Sequence, residues 1–155
     1  MTEGSRRNRS RSELEAAYRA TTYRVFLPEG LVDLRLDRVD ERLRLWLAAT
    51  GCRCFAILTA CNPASQLLDA AGNAERQARL ECELLDGNYE PFAAEHVADD
   101  AAWPVEESCF VPDLEAVDAC ALAADFGQNA VVCGGPDGVP RLLWIDGDDK
   151  ENRPL

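Results

Sequence analysis

Histidine is nearly missing from this chain: His96 is the single one, and among seven cysteines there is no Cys-x-x-Cys pair. Cys52-Arg53-Cys54 is the natural starting point for a metal site, but it lacks the partners a structural zinc needs, and no metal or cofactor is expected. A Ser-His pair depends on His96 alone, and no Gly-x-Ser-x-Gly elbow is present, which argues against a serine hydrolase. The glycine-rich run Gly134-Gly135-Pro136-Asp137-Gly138 lacks the Lys-Ser/Thr of a phosphate-binding loop and the spacing of a dinucleotide fingerprint, so it reads as a turn. No apolar run is long enough to span a bilayer, the first residues lack the apolar stretch of a secretory signal, and no internal repeat is visible. Positive charge is scarce as well: the formal net charge is -12 and the pI about 4.5, a field that repels phosphate backbones and disfavours nucleic-acid binding through the body of the protein.

What is present suits one domain. The chain has 155 residues, 47% of them hydrophobic, enough for a real core. Arg6, Arg7, Arg9 and Arg11 face only Glu3 in the first twelve residues. That segment is either a phosphate-binding arm or, more simply, a disordered solvated terminus. The expected organisation is a basic tail over residues 1–12, one domain over 13–146 and a polar tail over 147–155. An odd number of cysteines with no export signal points to free thiols in a reducing, cytoplasmic compartment, most of them packing as small apolar side chains.

The elements follow from periodicity. Ser12 and Glu15 have capping-box spacing, which predicts a helix over 13–21. Tyr23 to Leu27 and Leu31 to Leu36, separated by Pro28-Glu29-Gly30, predict a hairpin. Val39, Leu43, Trp46, Leu47 and Thr50 recur at helical spacing up to Gly51. Cys54 to Leu58 is a continuous apolar run, as expected of a strand covered on both faces. A long helix is predicted over 70–85, with Ala74, Ala78, Cys82 and Leu85 as its apolar stripe and Leu80 and Leu84 beside it. A weaker strand over 89–97, a strand over 107–111, a helix capped by Asp113 with Leu114, Val117, Ala121 and Ala124 on one face, and strands over 129–133 and 141–145 complete the order. The fold class is α+β: a single mixed sheet with helices packed against it, in which strand 54–58, helix 70–85 and strand 89–97 form a crossover.

Candidate chemistry gathers where the buried strand ends. Thr59, Asn62 and Ser65 leave it together, and Asn73 and Arg76 follow at the start of the next helix, whose free amides favour an anion. An Asn-Arg pair there suits a carboxylate or phosphate. The ordinary alternative is a well-made turn with a solvated arginine. Glu106-Glu107-Ser108, after Trp103-Pro104, places two carboxylates at a strand start, suited to acid-base work or to a cation. Phe126-Gly127-Gln128-Asn129-Ala130 puts two amides at a helix-to-strand junction, where they recognise a ligand or pair with loose backbone groups.

Tyr18-Arg19-Ala20-Thr21, Leu58-Thr59-Ala60-Cys61-Asn62-Pro63, Asn73 with Arg76, Glu107-Ser108 and Phe126-Gly127-Gln128-Asn129-Ala130 occur in this order. That ordered set resembles an uncharacterised bacterial family, the domain-of-unknown-function family 3293, over about residues 16–145. The resemblance implies a small bacterial cytosolic protein and no particular activity. The family pattern has an aromatic residue before the Asn-Pro where this chain has Cys61, which argues for a packing sulfur and against stacking there. The resemblance also draws together Thr59, Asn62, Asn73, Arg76, Glu107, Ser108, Gln128 and Asn129 as one candidate ligand-binding set. The expectation is a pocket for a small anionic ligand, held by Asn62, Asn73 and Arg76, with no visible nucleophile-base pair. The competing expectation is an acidic protein-protein interaction or regulatory module without catalysis.

Overall fold

The computed structural model describes residues 9–145. Residues 1–8 of the expected basic tail, with Arg6 and Arg7, and the expected polar tail over 147–155 lie outside these described residues, whereas Ser10, Arg11 and Ser12 of the expected basic tail cap and begin the first helix. The elements run α1 (Arg11–Arg19), β1 (Thr21–Leu27), β2 (Gly30–Leu34), α2 (Glu41–Thr50), β3 (Phe55–Leu58), a 3-10 turn (Pro63–Ser65), α3 (Ala70–Asp86), β4 (Phe92–Ala98), β5 (Glu106–Pro112), α4 (Ala116–Asp125), β6 (Ala130–Gly134) and β7 (Arg141–Trp144). The strands form one seven-stranded sheet in the order β2-β1-β4-β5-β3-β6-β7. The α+β class and the single sheet therefore hold, and every pairing is antiparallel.

The expected crossover differs in one respect. β3 and β4 are both antiparallel to β5, so they run in the same direction, but β5 lies between them. By the same logic β5 and β6 flank β3 across α4. β3-α3-β4-β5-α4-β6 is thus a double split β-α-β unit of ferredoxin-like order. The first hairpin extends it at the β4 edge and β7 at the β6 edge.

The sheet separates two cores. On one side, Leu80 and Leu84 of α3 and Ala119 and Ala123 of α4 pack on Ala56, Leu58, Val111 and Val131. On the other, Leu43 and Leu47 of α2 pack on Tyr23, Val25, Phe55, Ile57 and Phe110. β3 contributes alternate residues to both, which is why Phe55–Leu58 is buried throughout. The second face is concave, because the sheet curls. Past the β2 edge, Asp37 and Asp40 donate backbone hydrogen bonds to the Pro140 and Gly138 carbonyls of the β6-β7 turn. α2 fills one part of this concavity, and α1 crosses another, its Tyr18 ring edge-on to Trp144 of the last strand at 5.8 Å.

Several local expectations shift. The capping box is Ser10 with Glu13, not Ser12 with Glu15, so α1 starts at Arg11. Both pairs have the same spacing, and the earlier one is used. In α3 the buried residues are Gln77, Leu80 and Leu84, whereas Leu85 is 60% exposed and Cys82 is exposed. The helix is turned so that the row including Asn73 and Gln77 faces the sheet. Asp113 does not cap α4: it takes a left-handed turn (φ 68) with its amide on the Cys54 carbonyl, and the helix starts two residues later than the cap would place it, at Ala116. Val117 is 72% exposed and the buried residues of α4 are Ala119 and Ala123, small side chains that let the helix lie close on the sheet. No helix among the described residues is long and apolar enough to cross a membrane.

Candidate functional site

Beyond β3 the chain makes an unusual turn. Asn62, Ala64 and Ser65 all have positive φ (48°, 56° and 59°), a conformation that costs a residue with a Cβ on the order of 1 kcal/mol. Such a turn persists only if its surroundings hold it. Asn62 does much of this. Its amide donates to Asn73 Oδ1 at 2.8 Å, and its Oδ1 accepts from Asn73 Nδ2 at 2.9 Å and from the Leu68 amide at 2.8 Å. The Ala64 amide reaches the Gly127 carbonyl at 2.8 Å, and Asn129 Nδ2 donates to Ser65 Oγ at 2.9 Å. The reciprocal pair explains why Asn73 stands at the first turn of α3: it closes the loop that Asn62 opens.

Arg76 is drawn into the same scaffold. Its Nε donates to the Ala60 carbonyl at 2.7 Å and its Nη2 to the Phe126 carbonyl. Gln77, fully buried one residue on, accepts from the Ala60 amide at 3.1 Å. Together they satisfy the backbone where β3 loses its strand partners, a requirement for buried peptide groups. Gln128 Nε2 donates to the Cys61 carbonyl at 3.1 Å, and Thr59 Oγ1 to the Glu107 carbonyl at 2.6 Å.

In front of this scaffold, on the concave face, lies a pocket of about 180 Å³ between α1, the Trp103 loop and the ends of β3 and β6. Its wall is largely apolar, with Leu14, Ala17, Ile57 and Val132 among its residues. A polar row crosses one side of it. Tyr23, His96 and Glu106 are register partners on the adjacent strands β1, β4 and β5, so their side chains share the concave face. Glu106 Oε2 accepts from Asn62 Nδ2 at 2.7 Å and from Trp103 Nε1 at 3.1 Å. Its Oε1 stands 3.7 Å from His96 Nδ1. The side chains of His96 and Glu106 are only 12% and 13% exposed. Burial raises the Glu106 carboxyl above the usual glutamate range, opposed by the donors on Asn62 and Trp103. Burial also lowers the His96 imidazole to about 4, so it is neutral at physiological pH. Tyr18, on α1, is pushed up to about 12 by burial and by the nearby Glu106 charge. Tyr23 Oη donates to the Tyr18 carbonyl at 2.9 Å, which ties the end of α1 to β1.

The structure therefore divides the eight sequence candidates. Thr59, Asn62 and Gln128 line the pocket. Asn73, Arg76 and Asn129 stand behind the loop as its hydrogen-bonded support. Ser108 is buried on the concave face two residues beyond Glu106, and its Oγ has no hydrogen-bond partner among the described residues. Glu107 points to the opposite, exposed side of β5 and contributes only its carbonyl. Alternation along β5 makes Glu106 the inward carboxylate, and only the strand register decides which of two adjacent glutamates that is. His96 and Tyr18 complete the polar wall. The signal for His96 was its place near the end of a strand, between Glu95 and Val97. That for Tyr18 was its position on the apolar face of the first helix.

Residues 58–131, just under half of the chain, match the family described as "Protein of unknown function (DUF3293)", in support of the resemblance read from the sequence. The matched segment runs from the end of β3 to the second residue of β6, and so contains the Asn-Pro loop, His96, Trp103, Glu106 and Gln128. No curated protein and no solved structure matches.

Proposed function

We propose that this chain binds a small organic molecule in the concave pocket beneath α1, with Glu106 as the polar anchor. The observation that carries the reading is the state of one carboxyl group. Glu106 lies in a mostly apolar pocket with Oε2 fixed by two donors, while Oε1 has no hydrogen bond among the described residues. Ligand sites combine apolar walls with a few convergent polar groups held in advance, and this arrangement fits that description. Holding a buried carboxyl by one oxygen is costly unless the other is also served.

The anionic ligand expected from the sequence fits this pocket less well. Arg76, its intended anchor, is engaged with two backbone carbonyls behind the loop. The pocket wall carries Glu106 and Asp100, and its one cation among the described residues is Arg9, which lies exposed at the rim over the Trp103 ring. A neutral or cationic head group on an apolar body suits these walls better.

The test is a thermal-shift screen of small organic molecules against the wild-type chain and Glu106→Gln. Compounds that raise the melting temperature of the wild type are expected to lose most of that effect on a Glu106→Gln chain with an unchanged amide spectrum. Compounds that act equally on both chains, or that map outside the concave face as an acidic interaction module would predict, overturn the proposal.

A further inference from the structure

The inference concerns the head group of the pocket's ligand and rests on the pocket reading above. Among the described residues Glu106 Oε1 accepts no hydrogen bond, and His96 Nε2 and Ser108 Oγ are buried without a partner. Glu106 Oε1 and His96 Nε2 are acceptors. Nδ1 of His96 faces the carboxylate at 3.7 Å, which selects the Nδ1–H tautomer and leaves the lone pair on Nε2. The two side chains are adjacent across the β4-β5 pairing, so the acceptors belong to one patch of wall. A buried polar atom without a partner is costly, and a ligand that supplies the missing donors recovers that cost.

The rest of the wall favours positive charge on those donors. Tyr18 and Trp103 are among the residues lining the same pocket, and aromatic faces attract cations. Trp103 already has the Arg9 guanidinium 5.8 Å from its ring centre. The chain as a whole carries a net charge of -12, which concentrates small cations near it. The other ionisable groups lining the pocket among the described residues are Tyr18, Tyr23, Asp100, Cys61 and Arg9. Of these only Arg9 opposes a cation, and it is exposed and screened by water at the rim.

From this free carboxylate oxygen and the aromatic walls we infer that the pocket takes a small organic cation with several N–H donors, a primary ammonium or amidinium on an apolar body. The head donates to Glu106 Oε1 beside the His96 ring, and the body lies against Ile57, Val132 and Leu14. A volume near 180 Å³ admits a single ring with a short substituent, since cavities of about 150 Å³ hold benzene.

Three probes with one skeleton separate the possibilities: benzylamine, benzyl alcohol and phenylacetate, each titrated into the nitrogen-15-labelled full chain near neutral pH. Binding is followed at the Trp103 indole N–H and the β4 and β5 amides. Benzylamine is expected to bind at least tenfold more tightly than the other two, and Glu106→Gln to bring it within about twofold of benzyl alcohol. Independently of any variant, benzylamine affinity of the wild type falls as pH is lowered through the Glu106 pKa, while that of benzyl alcohol does not. If benzyl alcohol or phenylacetate binds at these residues as tightly as benzylamine, the cation inference fails and the pocket reading stands. If none of the three perturbs these residues, both fail.

Discussion

Asn62 joins the backbone scaffold to the pocket. Its side chain accepts from Leu68 and Asn73 and donates to Glu106, while its backbone occupies a left-handed conformation that asparagine tolerates better than alanine. Asn62→Ala is therefore expected to lower stability by about 3 kcal/mol, from lost hydrogen bonds to buried partners and the added strain. Asn62→Gly, which relieves the strain but not the lost bonds, is expected to fall between the two in urea denaturation. A midpoint for Asn62→Gly at or above that of wild type would show that the side-chain bonds contribute no more than the strain glycine relieves. Arg76 makes the contrasting case. Because its guanidinium holds the Ala60 and Phe126 carbonyls, Arg76→Met is expected to cost about 2 kcal/mol and to leave the head-group preference of the pocket unchanged. A variant with normal melting behaviour and lost binding would instead restore Arg76 to a direct ligand role. The gathering of Asn62, Asn73, Arg76 and Gln128 was legible from residue type and chain position. Their roles were not, because a polar side chain at a strand end serves a ligand or a loose carbonyl equally well until the backbone path is known.

Among the elements, α1 is the one that decides access to the pocket. It buries no residue fully, is fixed at its start by the Ser10–Glu13 capping box, and roofs the pocket with Leu14, Ala17 and Tyr18. Such an element opens at lower free energy than the strands beneath it. Amides of residues 11–19 are expected to exchange with solvent well before those of β3 and β5, and Ser10→Ala, a cap loss of about 1 kcal/mol, to speed that exchange further without changing β5. Uniform protection across α1 and β5 in a hydrogen-exchange experiment contradicts α1 as a separately opening roof. Strand positions were readable because alternation and continuous apolar runs mark them directly. Helix faces were read less well. In α3 the stripe through Cys82 and Leu85 competes with the row through Gln77, Leu80 and Leu84, and the latter faces the sheet because Gln77 is needed to pair with Ala60 and Cys109. A buried glutamine does not register in a hydrophobic pattern, and neither does a face built from alanines such as Ala119 and Ala123.

At the scale of the whole molecule, the strand order emerges from pairings distant in sequence, so local pattern revealed the elements but not the split β-α-β arrangement that places β5 between β3 and β4. That arrangement sets Glu106 beside His96 on one flank and near Asn62 on the other. It also makes the fold's stability depend on pH in a defined sense. The folded-state pKa of His96 is about 4, against an ordinary value of 6.5, so between these values the unfolded chain binds the extra proton. The His96 contribution is present above about pH 6.5 and is lost as pH falls, amounting to about 3 kcal/mol by pH 4. Glu106, whose folded pKa is raised, acts in the opposite sense: its contribution is present at low pH and is lost as pH rises through the folded value. His96→Gln is expected to flatten the acid limb in urea denaturation between pH 7 and 4, and an unchanged limb would mean that His96 protonates freely in the folded state. Binding in the concave pocket is tested most directly by the indole N–H resonance of Trp103, one of three tryptophans and the one donating to Glu106. In a titration of the full chain with small organic molecules, the account predicts that compounds which stabilise the protein shift this resonance together with the amides around His96 and Asn62, and that Glu106→Gln abolishes the shift. Stabilising compounds that leave the Trp103 indole unmoved, while perturbing residues away from the concave face, would contradict it.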